Sequence, residues 1–306
     1  MNKTLMAVAA HCDDIEFLMG GTLLKYHGKF DYEITYVQST NNMSGEWSQA
    51  LDGERAKTAP QIPAWMQPVK TFDVGRIRKN IVPWYYEMAQ RKREAEASAM
   101  KYFGTHPIHL DYPQRHYTDS NLKTVELRYG ATRPECVPEN FPSILTAHDD
   151  STAVRRVAEL ILEKNPEVII THAPVDYTEE HTSTCHLLRK AFIEAKSRGY
   201  DGSLIFAQTV TAGSYGKIFD CWDVFTDISG FSDLKREAVG MHACQVPYPE
   251  RLDLEDKQRG ERCGVAEAET FFVYEISDTR QGDLTEELKQ NHQYCKENFQ
   301  KMFFNP

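Results

Sequence analysis

Short uncharged runs alternate with amphipathic stretches along this chain, and that alternation predicts its elements. Residues 5–9 (Leu-Met-Ala-Val-Ala) are apolar and 167–171 (Glu-Val-Ile-Ile-Thr) centre on an apolar run, both with little period-two alternation, as strands covered on both faces by helices are. Residues 33–38 and 108–110 supply two further strands. Between them, residues 15–26 read as a helix with Phe17, Gly21 and Leu24 on one side, and Gly20 with Gly21 would let it lie close to a sheet. Residues 83–103 are strong helix formers closed by Gly104, and Val154, Val157, Ala158, Ile161 and Leu162 form the apolar stripe of another helix. Toward the end, 232–243, 271–276 and 284–299 read as helix, strand and helix. This βα alternation predicts an α/β fold, a mostly parallel sheet flanked by helices in a single domain over residues 1–306. Three stretches break the pattern and are expected as long loop insertions: about 40–82, with a short strand at 69–74, then 114–142 and 247–262.

Composition narrows the function. The 306 residues are 41% hydrophobic and 26% charged, as in a soluble globular enzyme. A formal net charge of -10 argues against nucleic acid or an anionic membrane as the main partner and favours a small molecule. Seven cysteines without a C-x-x-C pair read as reduced thiols in a cytoplasmic protein. The opening residues imitate a signal peptide, but their apolar part is short and runs straight into His11, so a first strand is expected there. No apolar stretch is long enough for a membrane span, and a homo-oligomer is left open.

The candidate chemistry begins where the first strand ends. Ala10-His11-Cys12-Asp13-Asp14-Ile15-Glu16 places a histidine and two aspartates at a strand's carboxyl end, where open α/β sheets bind ligands. His11 and Asp14 can converge on one cation such as zinc, leaving Asp13 as a general base; the plainer alternative is that one of the aspartates caps the helix that follows. A third ligand comes from residues 168–171, which lead through His172 into a loop ending at His181, at the inward start of a helix with Cys185, Leu188 and Phe192. His11, Asp14 and His181 form a three-ligand set with room for water, and His172 could ligate or support it. By ligand type alone the set also suits Fe(II) or Mn(II). No G-x-G-x-x-G or Walker pattern supports a nucleotide.

The segment 10–16 is similar to the A-H-P-D-D-x-E signature of the zinc-dependent de-N-acetylases of the PIG-L/LmbE family, and residues 176–181 resemble that family's D-x-H-P-D-H. Weaker likenesses are Arg93-Glu94, the turn 110–113, Asp227-Ile228-Ser229, Lys235 to Gln245, and Ala266-Glu267-Ala268. The resemblance implies a Rossmann-like sheet in which His11, Asp14 and His181 bind Zn2+ and Asp13 is the base. It further implies removal of an acetyl group from an N-acetylglucosaminyl-type small glycoconjugate. Three positions depart from the pattern. Cys12 replaces the proline, Thr178 stands at the first histidine, and Glu180 replaces an aspartate that can orient a neighbouring histidine. With Thr178 unable to donate a proton, His242 is the expected acid and His172 the reserve. Two alternatives follow from Thr178 and from the tryptophans of the unmatched loops, Trp47 and Trp65, with Trp84. One is a hydrolase of another amide such as a thiol-conjugate; the other is a metal-containing carbohydrate-binding protein with weak or no catalysis.

Overall fold

The computed structural model describes residues 3–43, 70–74, 77–81, 84–114, 116–118, 124–126, 142–176, 178–208, 221–245 and 249–303. Its centre is a seven-stranded sheet. In chain order the strands are β1 (Thr4–Ala9), β2 (Glu33–Thr40), β5 (Ile108–Tyr112), β8 (Val168–His172), β9 (Ser203–Ala207), β10 (Val224–Asp227) and β11 (Ala268–Glu275). The spatial order is β10-β11-β9-β8-β1-β2-β5, parallel from β9 through to β5 and antiparallel where β11 meets β9 and β10. The mostly parallel α/β architecture expected from the βα alternation is present.

Burial explains why the first strand reads as a continuous apolar run. Leu5, Ala7 and Ala9 face one core, built with α1 (Asp14–Phe30), the end of α2 (Trp84–Phe103) and α8 (Asp283–Phe303). Met6 and Val8 face a second core, built with α4 (Ser151–Lys164) and α5 (Glu179–Ser197). Each fully buried Leu, Ile or Val on these faces contributes roughly 1.5–3 kcal/mol. Asp150 caps α4, accepting from the backbone N–H groups of Thr152 and Ala153.

The two glycines of α1 are not equivalent. A Cβ on Gly21 would lie 2.8 Å from Ile228 Cδ1 and 3.1 Å from Glu269 Oε1, whereas one on Gly20 would meet nothing closer than 3.5 Å. Close approach is thus a property of Gly21, whose N–H donates to Glu269 Oε1 at 2.8 Å.

Departures from the expected elements have identifiable causes. The stretch 247–262, expected as an irregular insertion, contains the helix α7 (Pro249–Cys263). Its sequence is so highly charged that no apolar stripe announces it. Besides Cys263 in an apolar cluster, one anchor is an ion pair, Asp256 to Lys235 at 2.7 Å, with Lys235 also 2.8 Å from Glu269 and all three side chains at most 3% exposed. The stretches 40–82 and 114–142 carry small hairpins, β3 (Lys70–Val74) with β4 (Ile77–Ile81) and β6 (His116–Thr118) with β7 (Thr124–Glu126). Trp47 and Trp65 lie outside the described residues. The helix expected over 232–243 ends earlier, as α6 (Ser232–Gly240), and His242 lies in the turns that follow. Strands β9 and β10, five and four residues long, lack a signal in the sequence because runs so short carry little periodicity. The four-residue helix α3 (Ile144–Ala147) completes the described helices.

Among the described residues no helix is long and apolar enough to cross a membrane.

Candidate active site

From β1 the chain moves to β2 and β5 on one side, and later returns to place β8 and β9 on the other. The carboxyl ends of β1 and β8 therefore flank the point where strand order reverses, the place at which such sheets form a crevice. His11 and Asp14 follow β1; His172 ends β8, and His181 opens α5.

Three ligand atoms meet there. His11 Nδ1 is 3.2 Å from Asp14 Oδ2 and 3.1 Å from His181 Nε2, and His181 Nε2 is 3.3 Å from Asp14 Oδ2. Ligand bonds of about 2.0–2.1 Å in a tetrahedral zinc site imply edges of roughly 3.3–3.4 Å, so the triangle has the dimensions such an ion requires. The donor set, two imidazoles and a carboxylate, also fits by chemistry. Burial works to raise the Asp14 carboxyl, yet His181 and His11 hold it well below the usual range. Burial likewise opposes the charged form of His181, while Asp14 and Asp176 hold its pKa well above the usual histidine value.

The two aspartates of the turn are held differently. Asp14 Oδ2 accepts from the His11 backbone N–H at 2.7 Å, closing the turn on itself. Asp13 occupies the N-cap of α1 but makes no side-chain cap bond there. Its Oδ1 instead lies 3.4 Å from the Arg91 guanidinium, and its side chain is 21% exposed, enough to meet a substrate. Cys12, at the position of the family proline, donates its backbone N–H to Asn42 Oδ1 at 2.8 Å, a bond that proline cannot make.

His181 is oriented by a residue to which the sequence reading gave no role. Asp176 Oδ2 lies 2.9 Å from His181 Nδ1, fixing the ring so that Nε2 points at Asp14. Asp176 thus performs the orienting task for which Glu180 was the sequence candidate. Glu180 itself is buried in the first turn of α5. The signal available was an acidic residue five positions before the ligand in the strand-to-helix loop. Thr178 serves the same loop through its backbone: its N–H donates to Asp176 Oδ1 at 2.9 Å, and its carbonyl accepts from the His181 N–H at 3.1 Å.

His172 joins the cluster as support. Its ring stacks on His181 with centroids 4.0 Å apart and planes 11° from parallel. Its Nε2 accepts from the Ala10 N–H at 2.8 Å and lies 3.3 Å from Asp14 Oδ2. Burial, reinforced by His181, pushes its pKa down to about 4, which keeps the ring neutral.

His242 is completely buried, with Nε2 3.2 Å from Glu16 Oε2 behind the His11–Asp14 turn. Glu16 also accepts from Ser98 Oγ at 2.6 Å and from the Tyr36 hydroxyl. The weak family likeness at Arg93-Glu94 resolves differently in space. Arg93 is exposed, and the inward pair three residues apart is Arg91 and Glu94. Arg91 Nε donates to Cys12 Sγ at 3.2 Å, and Glu94 accepts from the Cys244 N–H at 3.0 Å.

Two histidines and an aspartate that could hold a metal ion lie at the switch point of a mostly parallel sheet, with a second carboxylate beside them. The model of the GlcNAc-PI de-N-acetylase (PIG-L) family matches residues 6–192, and the chain belongs to that family. That family assignment supports a deacetylase. No curated protein matches the chain by sequence. Among solved structures, 4-carboxy-2-hydroxymuconate hydratase from Pseudomonas putida KT2440 is similar over 92% of this chain and 100% of its own, with 19% identity and a TM-score of 0.59. N,N'-diacetylchitobiose deacetylase from Pyrococcus horikoshii is similar over 90% of this chain and 87% of its own, with 17% identity and a TM-score of 0.56. A zinc-inhibited form of a teicoplanin deacetylase is similar over 91% of this chain and 100% of its own, at 15% identity and a TM-score of 0.54. At these identities the likeness is one of fold.

Proposed function

We propose that this protein is a zinc-dependent hydrolase that removes the acetyl group from an N-acetylglucosaminyl-type small glycoconjugate. The observation that carries the reading is the His11–Asp14–His181 triangle with edges of 3.1–3.3 Å and Asp13 left free of capping duty beside it. Family membership supports the reaction class, and the similarity to a chitobiose deacetylase supports a sugar acetamide as substrate.

His11, Asp14 and His181 would hold the metal, which when bound lowers the pKa of water and polarises a carbonyl. Asp13 takes the proton of the attacking water, and Arg91 at 3.4 Å holds that carboxylate in place. The same carboxyl, once protonated, returns the proton to the leaving amine. His242, fully buried against Glu16, acts from behind the turn as a positioning residue and keeps Cys12 and Glu16 in register with Asp13. Thr178 motivates the alternative of a metal-containing carbohydrate-binding protein with weak or no catalysis, since its hydroxyl cannot replace an imidazole acid.

The test is hydrolysis of a panel of N-acetylglucosaminides by the metal-loaded protein and its Asp13→Ala variant. Turnover is expected to fall by about 10²–10⁴ in the variant while metal content stays the same. A metal-loaded variant with wild-type activity would exclude Asp13 as the base, and hydrolysis of none of the panel by the wild type would exclude the substrate class.

A further inference from the structure

One face of α2 is polar and buried. Glu87, Gln90, Arg91, Glu94 and Ser98 recur at helical spacing, and none is more than 4% exposed. At the inner end every polar group is occupied. Ser98 donates to Glu16 at 2.6 Å, Glu94 accepts from the Cys244 N–H at 3.0 Å, and Arg91 reaches Cys12 and Asp13. At the outer end the pattern breaks: Gln90 Nε2 donates to Glu94 at 2.9 Å, but Gln90 Oε1 and Glu87 Oε1 are buried with no hydrogen-bond partner among the described residues. Buried acceptors without a donor are uncommon, because the desolvation they suffer goes uncompensated.

The direction of the helix says where these oxygens lie. Strand β5 is parallel to β2 and begins five residues after α2 ends, so α2 runs against the strands. Its amino-terminal half stands at the carboxyl-end edge of the sheet, where the metal triangle also stands. Glu87 is one turn beyond Arg91 on the same face, about 6 Å further along the axis at 1.5 Å per residue. That is the distance from a scissile amide to a neighbouring part of a small substrate.

We propose that Glu87 and Gln90 form a subsite that accepts hydrogen bonds from hydroxyl groups on the amine-bearing part of the substrate. The subsite rests on the deacetylase reading and names what lies beside the acetamide. A neutral donor fits better than a cation, because the Arg91 guanidinium shares the face and opposes a second positive charge. Burial pushes the Glu87 carboxyl up to about 7 against the pull of Arg91, so the group is readily protonated and does not demand a counter-ion. An apolar group placed there would leave both oxygens unpaired.

The experiment compares methyl N-acetylglucosaminide with N-cyclohexylacetamide, an acetamide of similar bulk without hydroxyls, using the metal-loaded enzyme and its Glu87→Met and Gln90→Met variants. The ratio of kcat/KM for the sugar to that for the cyclohexyl compound should fall about tenfold in each variant. Metal content and melting temperature report that the variants are folded. An unchanged ratio would overturn the subsite while leaving the deacetylase intact. If the wild type hydrolyses neither compound the deacetylase reading fails separately, and calorimetric binding of methyl glucosaminide against cyclohexylamine then decides the subsite. Tighter binding of the glucosaminide, lost in the variants, supports it; equal affinity overturns it.

Discussion

Asp176 holds His181 by its Nδ1 atom at 2.9 Å, and this contact aims the opposite ring nitrogen at Asp14. A carboxylate behind a ligand histidine fixes the tautomer and raises the basicity of the ligand. Replacing Asp176 with Asn should therefore weaken metal binding by about 10–100-fold without unfolding the protein, as read by competition against a chelator. An unchanged affinity would show that the stack with His172 orients His181 unaided.

Metal binding should stabilise the native state through mass action. Zinc at about a hundred times its dissociation constant is expected to add roughly 2.7 kcal/mol, seen as a rise in melting temperature that a chelator reverses. His181→Ala removes one of three ligands and should abolish most of that rise. A rise of the same size in the variant would place the bound ion elsewhere.

Glu87 makes stability depend on pH in a defined window. Its folded pKa is about 7 against an ordinary 4.5, with burial as the cause and Arg91 pulling the other way. The folded state then holds the proton more tightly than the unfolded state, so this contribution falls as pH rises from about 4.5 and is fully lost above about 7. The span corresponds to roughly 3 kcal/mol. Denaturant unfolding of Glu87→Gln should show a shallower decline across that window, and parallel curves for variant and wild type would contradict the assignment.

The neighbouring glycines of α1 should respond in opposite directions. Gly21→Ala drives a methyl into Ile228 and Glu269 and is expected to cost about 1–3 kcal/mol. Gly20→Ala meets only ordinary contacts and should be neutral or stabilising by up to about 1 kcal/mol from helix propensity. Thermal unfolding of the two variants separates them.

Parts of this architecture were legible in the sequence because local pattern and tertiary environment agree. Residues 5–9 are buried on both faces and therefore carry an unbroken apolar run; α4 has one wet face and therefore an apolar stripe. Helix α7 shows the opposite case. One tie to the body is the buried Lys235–Asp256 pair, and charges that face inward look in sequence like charges that face water. The proposed metal ligands were readable because His11 and Asp14 sit three apart in one turn and His181 opens a helix. Asp176 and Arg91 were not, since each acts through a contact whose partner is set by the packing of another element. The orphaned oxygens of Glu87 and Gln90 were still less accessible, because the sequence reports residue types and not which lone pairs remain unused.

On the proposed function, the His11–Asp14–His181 triangle would also set when during folding an ion can be held. His11 and Asp14 emerge with the first strand, but His181 follows β8, which pairs with β1 across a separation of more than a hundred and fifty residues. A nascent chain that ends before β8 presents only two of the three ligands, without the carboxylate that aims the third. Tight capture of an ion would therefore be a late step, coupled to closure of the sheet's centre. A captured ion would staple the amino-terminal and middle segments together at the sheet's longest-range seam.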